Sequence, residues 1–581
     1  MLPASAPLSE LGVWVIDCQT TGASPAHGVV LEIGWGLCTA GSPRVERAEA
    51  HWVALPPGER VSSRVRQLTG FDEAVASVSL AAPEVWQRLR AGMAHAPRVP
   101  AAIHFASFEL AFLRDWASRF EPEATFPLDA VCLHAIAARL HPDLPRQSLR
   151  ALAGFLGHGL DLTRRCAAHV EATAFIWHRL ATELRERGVG TWQELASWLE
   201  APKPPRSSGR KHRFPLPSAR YRSLPDTPGV YRFLRANGDL LYVGKAASLR
   251  KRVSGHFTAG QATTSRALEM LTQIHDIQVT PTASALEAAL LENEEIKLRK
   301  PLYNLQLTND GHSWFMNAQL SSFRSAPDAE HRLGPLPSTF SARAVGAVRE
   351  LLAGAAPTRA LRALAVETWE RWAPEEAVFG EGFRLFIERH AELRALSQPV
   401  AAASSDARPD PRRALLRVAR RLLAAARARG ARGEEVEAQL DVDEPAASVD
   451  SWDADRVLRH LERAVAHGHQ LLSRARWLCL LCDSSVAYRE PSGDRVRQLV
   501  ITRGELVAVA DAAAGEPSSP RLPSRPLAQR QSAFDRSQYD RLRTLTTEIK
   551  RIQRDGGSVS IQVARRRWLS GEALARLLAA V

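Results

Sequence analysis

Hydrophobic and polar positions alternate over the first 200 residues in a pattern that predicts strands and helices in turn. Apolar runs such as VWVIDC (13–18) and VVLEIGWGLC (29–38) are typical of buried strands, and positions with helical periodicity follow them. This alternation predicts an α/β domain over residues 1–200. Residues 201–224 are rich in Pro, Ser and basic residues, which predicts a linker. Residues 225–310 then predict a small unit of two strands followed by two helices.

The two strands of this unit are predicted to form a hairpin. The dipeptide Asn237-Gly238 is a strong signal for a two-residue loop. Counting outward from that loop places Tyr231 opposite Gly244, with Tyr242 diagonally adjacent on the same face. Two phenols beside a glycine leave room for a ligand, although two aromatic core residues would give the same pattern.

The segment after the hairpin predicts a helix that begins at Ser248, a residue type that caps helices well. Arg252 and His256 are four residues apart, so they share one face of this helix.

A second helix is predicted to begin near Ser284 and to end before Pro301. Glu292 lies on its apolar side, in the column of Ala288 and Ile296. A carboxylate on an apolar stripe costs several kcal/mol when it is unpaired, so it needs an arginine, another cation or a metal ion as its partner. The charged residues around the opposite side are Glu287, Glu294 and Lys297.

The region 311–581 is predicted to be mostly helical, with a few strands. The strands are expected within WLCLLCDSSVAYRE (477–490) and RQLVITRGELVAVAD (497–511). Cys479 and Cys482 form a lone CxxC motif without a second pair, which favours buried strand cysteines over zinc ligands.

The composition of the chain also indicates its compartment and the class of its partner. A chain of 581 residues with 45% hydrophobic content is expected to form about three or four domains. The net charge of +13 suggests a polyanionic partner or a solvated, arginine-rich surface. Scattered cysteines indicate a reducing compartment. We see no signal peptide and no membrane span, so we expect a bacterial cytoplasmic protein, associated with the nucleoid.

Two motif segments resemble the GIY-YIG nucleases, in particular the N-terminal domain of the excinuclease C proteins. They are PGVY with LYVGKAASLRKRVSGHF, and ALLENEEIKLRKPLYN. The resemblance covers roughly 80 residues of the chain. It implies a small α/β nuclease domain that cleaves a phosphodiester bond with one Mg²⁺ or Mn²⁺ ion.

The resemblance also implies a role for each motif residue. Tyr231 and Tyr242 would be the motif tyrosines, and Tyr231, with His256, would position or deprotonate the attacking water. Arg252 would contact phosphate, and Glu292 would bind the metal ion. Lys245 and Asn304 would contribute to DNA binding. His256 stands where the excinuclease proteins usually carry tyrosine.

Three motifs in residues 1–200 resemble the DEDDh 3′–5′ exonucleases. They are VWVIDCQTTG, HFASFELAFL, and LPRQSLRALAGFLG followed by RRCAAHVEATAFI. The resemblance implies a ribonuclease H-like mixed sheet with flanking helices.

The family's catalytic residues are only partly kept. Asp17 is present, but Gln19 replaces a glutamate and Glu109 replaces an aspartate. Arg164 stands in place of the catalytic histidine, and it cannot act as a base because it stays protonated. His169 replaces the last aspartate. Too little negative charge remains to hold two divalent cations, so we expect an inactive exonuclease-like domain.

The favoured interpretation is a Mg²⁺-dependent DNA endonuclease that makes single-strand incisions in nucleotide excision-type repair, fused to a pseudo-exonuclease. Its partners would be damaged duplex DNA and other excision-repair proteins. One alternative is a bifunctional nuclease with both sites active. Another is a DNA-binding repair adaptor with both sites idle.

Overall fold

The structure is a computed structural model whose Cα positions divide into two compact units. The first unit contains residues 1–288 and 298–305, and the second contains residues 289–297 and 306–581. The residues that the structure describes are 6–96, 99–202, 212–258, 264–305, 307–308, 311–352, 375–396, 411–428, 453–491, 493, 495–511, 520–532, 534–563 and 568–578. Residues 203–211 of the predicted linker therefore lie outside the described part of the chain.

The first unit opens with a five-stranded mixed sheet, as predicted. The strands are β1 (Gly12–Thr20), β2 (Val30–Thr39), β3 (Ser42–Trp52), β4 (Ala101–Ile103) and β5 (Ala130–Cys132). Their order in the sheet is β3-β2-β1-β4-β5. Strand β1 pairs antiparallel with β2 and parallel with β4, and β4 pairs parallel with β5.

Helices cover both faces of this sheet, because β1 sends alternate side chains into two hydrophobic cores. Val13 and Val15 belong to one core, whereas Trp14 and Ile16 belong to the other. The helices of this region are α1 (Ser63–Thr69), α2 (Glu73–Ser77), α3 (Ala82–Ala94), α4 (Ala106–Phe120), α5 (Leu133–Leu140), α6 (Leu149–Leu156), α7 (Cys166–Glu186) and α8 (Trp192–Glu200).

The region of residues 225–310 contains a three-stranded antiparallel sheet, one strand more than predicted. The elements here and just before it are α9 (Ser218–Arg222), β6 (Gly229–Leu234), β7 (Leu240–Ala246), α10 (Leu249–His256), α11 (Ser265–Leu271), β8 (Asp276–Pro281) and α12 (Ala285–Arg299). The strand order is β7-β6-β8. The predicted helices at Ser248 and Ser284 are confirmed as α10 and α12.

The hairpin loop between β6 and β7 is longer than predicted. The Arg235 N–H donates to the Asp239 carbonyl (2.9 Å) and the Gly238 N–H donates to the Arg235 carbonyl (3.0 Å). Gly238 has φ +87°, a left-handed conformation that favours glycine. The loop therefore has three residues with the glycine last, and the expected pairing of Ala236 with Asp239 is wrong. A register shift after Phe233 absorbs the extra residue.

The second unit contains more strands than were predicted for residues 311–581. The strands are β9 (Trp314–Asn317), β10 (Phe323–Arg324), β11 (His331–Leu336), β12 (Ser484–Arg489), β13 (Arg497–Thr502), β14 (Glu505–Asp511), β15 (Ser558–Val563) and β16 (Leu569–Ser570). A three-stranded sheet has the order β10-β9-β11, and a five-stranded sheet has the order β14-β13-β12-β15-β16.

Helices of the second unit pack around these sheets. Their bounds are Thr339–Leu352, Glu376–Arg389, Pro411–Ala428, Ala454–Leu481, Leu527–Gln531, Arg536–Arg554 and Gly571–Leu578, with a 3-10 turn at Ala391–Leu396.

The six cysteines are free in the structure; five are buried and Cys132 is half-buried. Cys479 and Cys482 are buried as predicted, but they lie at the end of the helix Ala454–Leu481 and not on a strand. The apolar run WLCLL packs equally well on a buried helix, and periodicity alone does not separate the two cases. Among the described residues, none of the helices is long and apolar enough to span a membrane.

Candidate active site of the hairpin domain

Tyr231 lies at the centre of the small domain. It is fully buried on β6 and faces Gly244 of β7, as predicted, while Tyr242 pairs with Phe233. A Cβ atom at Gly244 would lie 2.5 Å from the Tyr231 hydroxyl and 2.8 Å from Cε1 of Tyr242. Only glycine leaves space for both rings at this point of the strand, so the GIY-YIG glycine has a steric reason.

His256 completes the cluster of aromatic side chains. The Tyr231 hydroxyl and Nε2 of His256 are 2.7 Å apart, and the rings of Tyr231 and Tyr242 have centroids 6.1 Å apart. Burial, followed by the nearby charge of Arg252, lowers the pKa of His256 from 6.5 to about 4. The imidazole is therefore neutral at pH 7, and its Nε2 can accept a hydrogen bond from the phenol.

The start of α10 fixes the position of this histidine. The Ser248 hydroxyl caps the helix by accepting the Lys251 N–H (3.2 Å), and Ser248 also bonds to Asp226. Arg252, one turn before His256, is exposed, and Lys245 at the end of β7 is half-buried. Both predicted phosphate- and DNA-binding side chains therefore lie where a nucleic acid can reach them.

Asn304 bonds to the edge of the sheet. Its Oδ1 accepts the Val243 N–H (3.0 Å) and its Nδ2 donates to the Val243 carbonyl (2.9 Å). Since β7 is an edge strand, these two bonds satisfy backbone groups that no strand covers. Val243 lies between Tyr242 and Gly244, so Asn304 acts on the motif strand. Its predicted role in DNA binding stays a prediction.

Glu292 lies on the buried side of α12, as predicted. Ala288 and Ile296, one turn on either side, are buried, and Glu292 itself is half-buried. In the part of the chain that the structure describes, no group of three or more His, Cys, Asp and Glu residues is placed to hold a metal ion. A single carboxylate is a donor that suits a hydrated hard cation such as Mg²⁺.

Lys297 departs from the expected charged outer side of α12. Its Nζ lies 2.6 Å from the Asp540 carboxylate, and both side chains are buried, with 9% and 1% of their surface exposed. One turn earlier, the Asn293 amide donates to the Thr544 hydroxyl (3.2 Å). Helix Arg536–Arg554 thus covers this side of α12, and Lys297 has a structural partner that the pattern of α12 alone could not reveal.

Sequence reasoning also missed Glu269 on α11. This carboxylate accepts hydrogen bonds from Arg150 (2.9 Å), Ser148 (2.9 Å) and the Tyr303 hydroxyl (2.9 Å). A signal was present, because Glu269 lies between Leu268 and the buried Met270 in a short helix of a small domain, where a charged residue is seldom without a partner.

The exonuclease-like cleft contains a closed network around Asp17. Nδ1 of His169 lies 3.1 Å from both carboxylate oxygens of Asp17, and the Gln19 amide donates to Oδ2 (2.9 Å). Burial alone would raise the pKa of Asp17, but the charge and hydrogen bond of His169 and the Gln19 bond bring it below its ordinary value. Two residues that replace family carboxylates therefore occupy the remaining one with hydrogen bonds.

Glu109 lies in the same cleft, where its charged form is disfavoured. It is 5% exposed, and burial together with the charge of Asp17 raises its pKa well above the usual range. His104, which sequence reasoning missed, is also buried, and burial lowers its pKa to about 3. Arg164 is exposed, and its N–H donates to the Leu68 carbonyl (2.7 Å). Of the five predicted residues of this cleft, only Asp17 and Glu109 are carboxylic acids, and burial disfavours the charged form of Glu109.

Comparison with known proteins agrees with both resemblances. Residues 227–305 match the UvrC-like GIY-YIG domain. UvrABC system protein C of Alkalilimnicola ehrlichii is 42% identical over 135 residues, which are 22% of this chain and 22% of that protein.

A second relative extends beyond the GIY-YIG region. A putative bifunctional exonuclease/endonuclease protein of Mycobacterium tuberculosis is 29% identical over 357 residues, 59% of this chain and 52% of that protein. The chain thus spans between about a fifth and about half of the length of these relatives. In both domains, therefore, the likeness is to nucleases.

Among solved structures, the N-terminal endonuclease domain of UvrC from Thermotoga maritima, bound to magnesium as its catalytic divalent cation, is 26% identical. The match covers 15% of this chain and 93% of that domain, with a TM-score of 0.14.

Proposed function

We propose that this chain is a DNA endonuclease that depends on Mg²⁺ or Mn²⁺ and makes single-strand incisions in nucleotide excision-type repair. The observation that carries the proposal is the 2.7 Å contact between the Tyr231 hydroxyl and a neutral His256. A neutral imidazole can accept the hydrogen bond of the buried phenol, which leaves the lone pairs of the phenol oxygen free to accept a hydrogen bond from the attacking water.

The residues of the hairpin domain divide the work of hydrolysis. Tyr231 orients the attacking water and, with His256, takes up its proton. Arg252 offers a planar fork of donors to the phosphate, where negative charge grows during the reaction. Tyr242 lies beside Tyr231 on the same face, and Lys245 adds a positive charge at the end of the strand.

Glu292 is the proposed ligand of one divalent cation. A single carboxylate fits Mg²⁺, which keeps most of its waters and binds through few protein oxygens. When bound, the cation would supply charge for the phosphoryl oxygens and the leaving oxygen. Glu292 holds the ion, and its place on the apolar side of α12 restricts the carboxylate to few orientations.

The exonuclease-like domain is proposed to be catalytically inactive. Its cleft keeps one ionised carboxylate, Asp17, which already accepts hydrogen bonds from Gln19 and His169. Glu109 would have to lose a proton before it could bind a cation, and burial opposes that loss. The proposed partners are damaged duplex DNA, which suits a chain of charge +13, and other excision-repair proteins in a bacterial cytoplasm.

A nicking assay tests the proposal. The full chain is incubated with covalently closed circular DNA, with and without bulky adducts, in Mg²⁺ or Mn²⁺. We expect nicked circles, with more nicking of the damaged DNA. Glu292→Gln, which keeps the shape and removes the charge, should lower the rate by at least about a hundredfold. Glu294→Gln is the matched control, because Glu294 is exposed on the same helix.

Each other outcome selects a different function. Normal nicking by Glu292→Gln would show that the site is assigned to the wrong residue. Progressive shortening from 3′ ends would favour a bifunctional nuclease. Tight DNA binding without cleavage under either cation would favour a repair adaptor.

A further inference from the structure

The exonuclease-like domain contacts the hairpin domain through Glu269, within the first unit of the structure. Arg150 of α6 donates from Nη1 to Oε1 of Glu269 (2.9 Å), and the Ser148 hydroxyl donates to Oε2 (2.9 Å). The side chains of Arg150 and Glu269 are only 12% and 16% exposed. The helices approach closely here, since a Cβ atom at Gly154 would lie 2.0 Å from Oε1 of Gln273.

Arg150 also holds the loop that leads to the degenerate third motif. Its Nε donates to the Asp161 carbonyl (2.9 Å) and its Nη2 donates to the Leu162 carbonyl (3.1 Å). Arg164, two residues further on, is close enough to Arg150 and Glu269 for their charges to act on it. The segment that carries the exonuclease family's base therefore borders the hairpin domain in this chain.

Glu269 also bonds to Tyr303, so it connects Arg150 with this tyrosine. The Tyr303 hydroxyl donates to Oε1 of Glu269 (2.9 Å) and accepts from the Gln273 amide (2.6 Å). Burial and then the charge of Glu269 raise the pKa of Tyr303, so the phenol remains a donor. Burial alone would raise the pKa of Glu269, but the charge and hydrogen bond of Arg150 lead the effects that lower it, so it remains an acceptor.

Tyr303 and the next residue, Asn304, bond to strand β7. The Tyr303 N–H donates to the Leu241 carbonyl (2.9 Å), and the Asn304 side chain makes two hydrogen bonds to the Val243 backbone. Tyr242 lies between these two anchor points. A continuous series of hydrogen bonds thus runs from α6 to the strand that carries the second motif tyrosine.

We propose that α6 and the third-motif loop of the exonuclease-like domain position the strand of Tyr242, acting through Glu269 and Tyr303. The incision part of this proposal rests on the proposed function. The exonuclease-like domain then serves the nuclease as a support, because it holds Tyr303 through Glu269 and thereby steadies the segment that bonds to the edge of β7. Networks of this kind are cooperative, so removing one member loosens the others.

Two variants of the full chain test the proposal. Arg150→Ala removes the connection at α6, and Tyr303→Phe removes only the hydroxyl and keeps the ring in the core. Arg88→Ala is the control, because Arg88 forms an ion pair with Glu84 on α3 that is about half exposed. We expect the amide hydrogens of residues 240–246 to exchange at least about fivefold faster in both variants and unchanged in the control.

Incision gives the second measurement. The turnover number should fall about tenfold in both variants, with the Michaelis constant within about twofold and the melting temperature little changed. The double variant should lose no more activity than the stronger single variant, because both interrupt the same series of bonds.

The proposal is overturned if exchange of residues 240–246 stays at the wild-type rate in both variants. It is also overturned if the strand β6 loosens equally, since that would show general destabilisation. The exchange measurement needs no cleavage, so a chain that nicks no DNA would refute the proposed function and leave this test intact.

Discussion

The hairpin domain and the exonuclease-like domain each place a histidine within hydrogen-bonding distance of a residue of catalytic type, yet the two histidines face opposite chemistry. His256 meets a neutral phenol near an arginine, and its lowered pKa keeps it neutral. His169 meets the ionised Asp17, which also accepts a bond from Gln19. Burial and the charge of Arg252 thus keep one imidazole neutral beside a phenol, whereas the other imidazole bonds to a carboxylate.

The same contrast holds for the carboxylates. Glu292 lies between two apolar residues of α12, Ala288 and Ile296, whereas Asp17 and Glu109 are close enough for one charge to raise the pKa of the other. Two carboxyl groups of one site share the negative charge poorly without a cation.

The largest expected effect is the loss of incision activity when the pair Tyr231–His256 is disrupted. Tyr231→Phe and His256→Phe should each lower the incision rate by about 10²–10⁴-fold, the usual contribution of positioned proton transfer. Asp17→Asn, a change of similar size in the other cluster, should leave incision within about twofold of wild type. Single-turnover nicking rates measure both. If Asp17→Asn lowered the incision rate as much as Tyr231→Phe and His256→Phe do, the proposed difference between the two clusters would be wrong.

A smaller effect is expected from restoring the exonuclease residues. In a full chain with Glu292→Gln, labelled single-stranded DNA should not shorten from its 3′ end in Mg²⁺ or Mn²⁺. Adding Gln19→Glu, Arg164→His and His169→Asp together should raise 3′ shortening by about tenfold or more, because it returns two anions and a base. Shortening by the unrestored chain that Asp17→Ala abolishes would contradict the inactive assignment.

The smallest effect concerns stability against pH. The folded chain binds a proton at His256 with a pKa of about 4, below the ordinary 6.5, so between these values the unfolded chain holds more protons. The free energy of unfolding should therefore fall as pH falls from 6.5 to 4, and this part of the slope should vanish in His256→Phe. Asp17, whose pKa lies below 3.8, keeps its contribution in this window.

Urea unfolding at several pH values, followed for the wild type, His256→Phe and Asp17→Asn, checks this sign. The slope should be shallower in His256→Phe, whereas Asp17→Asn should also change the contributions of Glu109 and His104, because the charge of Asp17 raises the pKa of both. His104, with a pKa of about 3, contributes equally to the wild type and to His256→Phe. Identical slopes for the wild type and His256→Phe would show that the histidine is charged in the folded chain.

Local signals were sufficient to predict much of the hairpin domain from the sequence. The capping residue Ser248, the Pro301 stop and the Tyr231–Gly244 register depend on neighbours in the chain, and the structure agrees with them. The extra loop residue escaped detection because a three-residue loop with a bulge also places glycine after asparagine. Strand β8 was missed because its run DIQVTP is short, half exposed and ends in proline.

Contacts between distant segments could not be predicted. Nothing in the local pattern of α12 connects Lys297 with Asp540, which lies 243 residues away by their numbers, and nothing near Glu269 indicates Arg150. The strands β9–β11 were missed for a similar reason, since all three are short, β11 contains glycine and proline, and such strands gain stability by pairing. Sequence motifs identify the candidate catalytic residues, whereas the contacts that hold these residues in place depend on tertiary packing.

The burial of the cysteines makes the protein convenient for site-directed labelling. Alkylation requires a thiolate, and burial raises the pKa of Cys38 and of Cys482 to about 12. A cysteine introduced at Ala236, which is exposed at the tip of the hairpin, would react far faster than these native thiols. A fluorophore at that tip could report on DNA arriving at the hairpin after replacement of the half-buried Cys132, without removal of the buried cysteines.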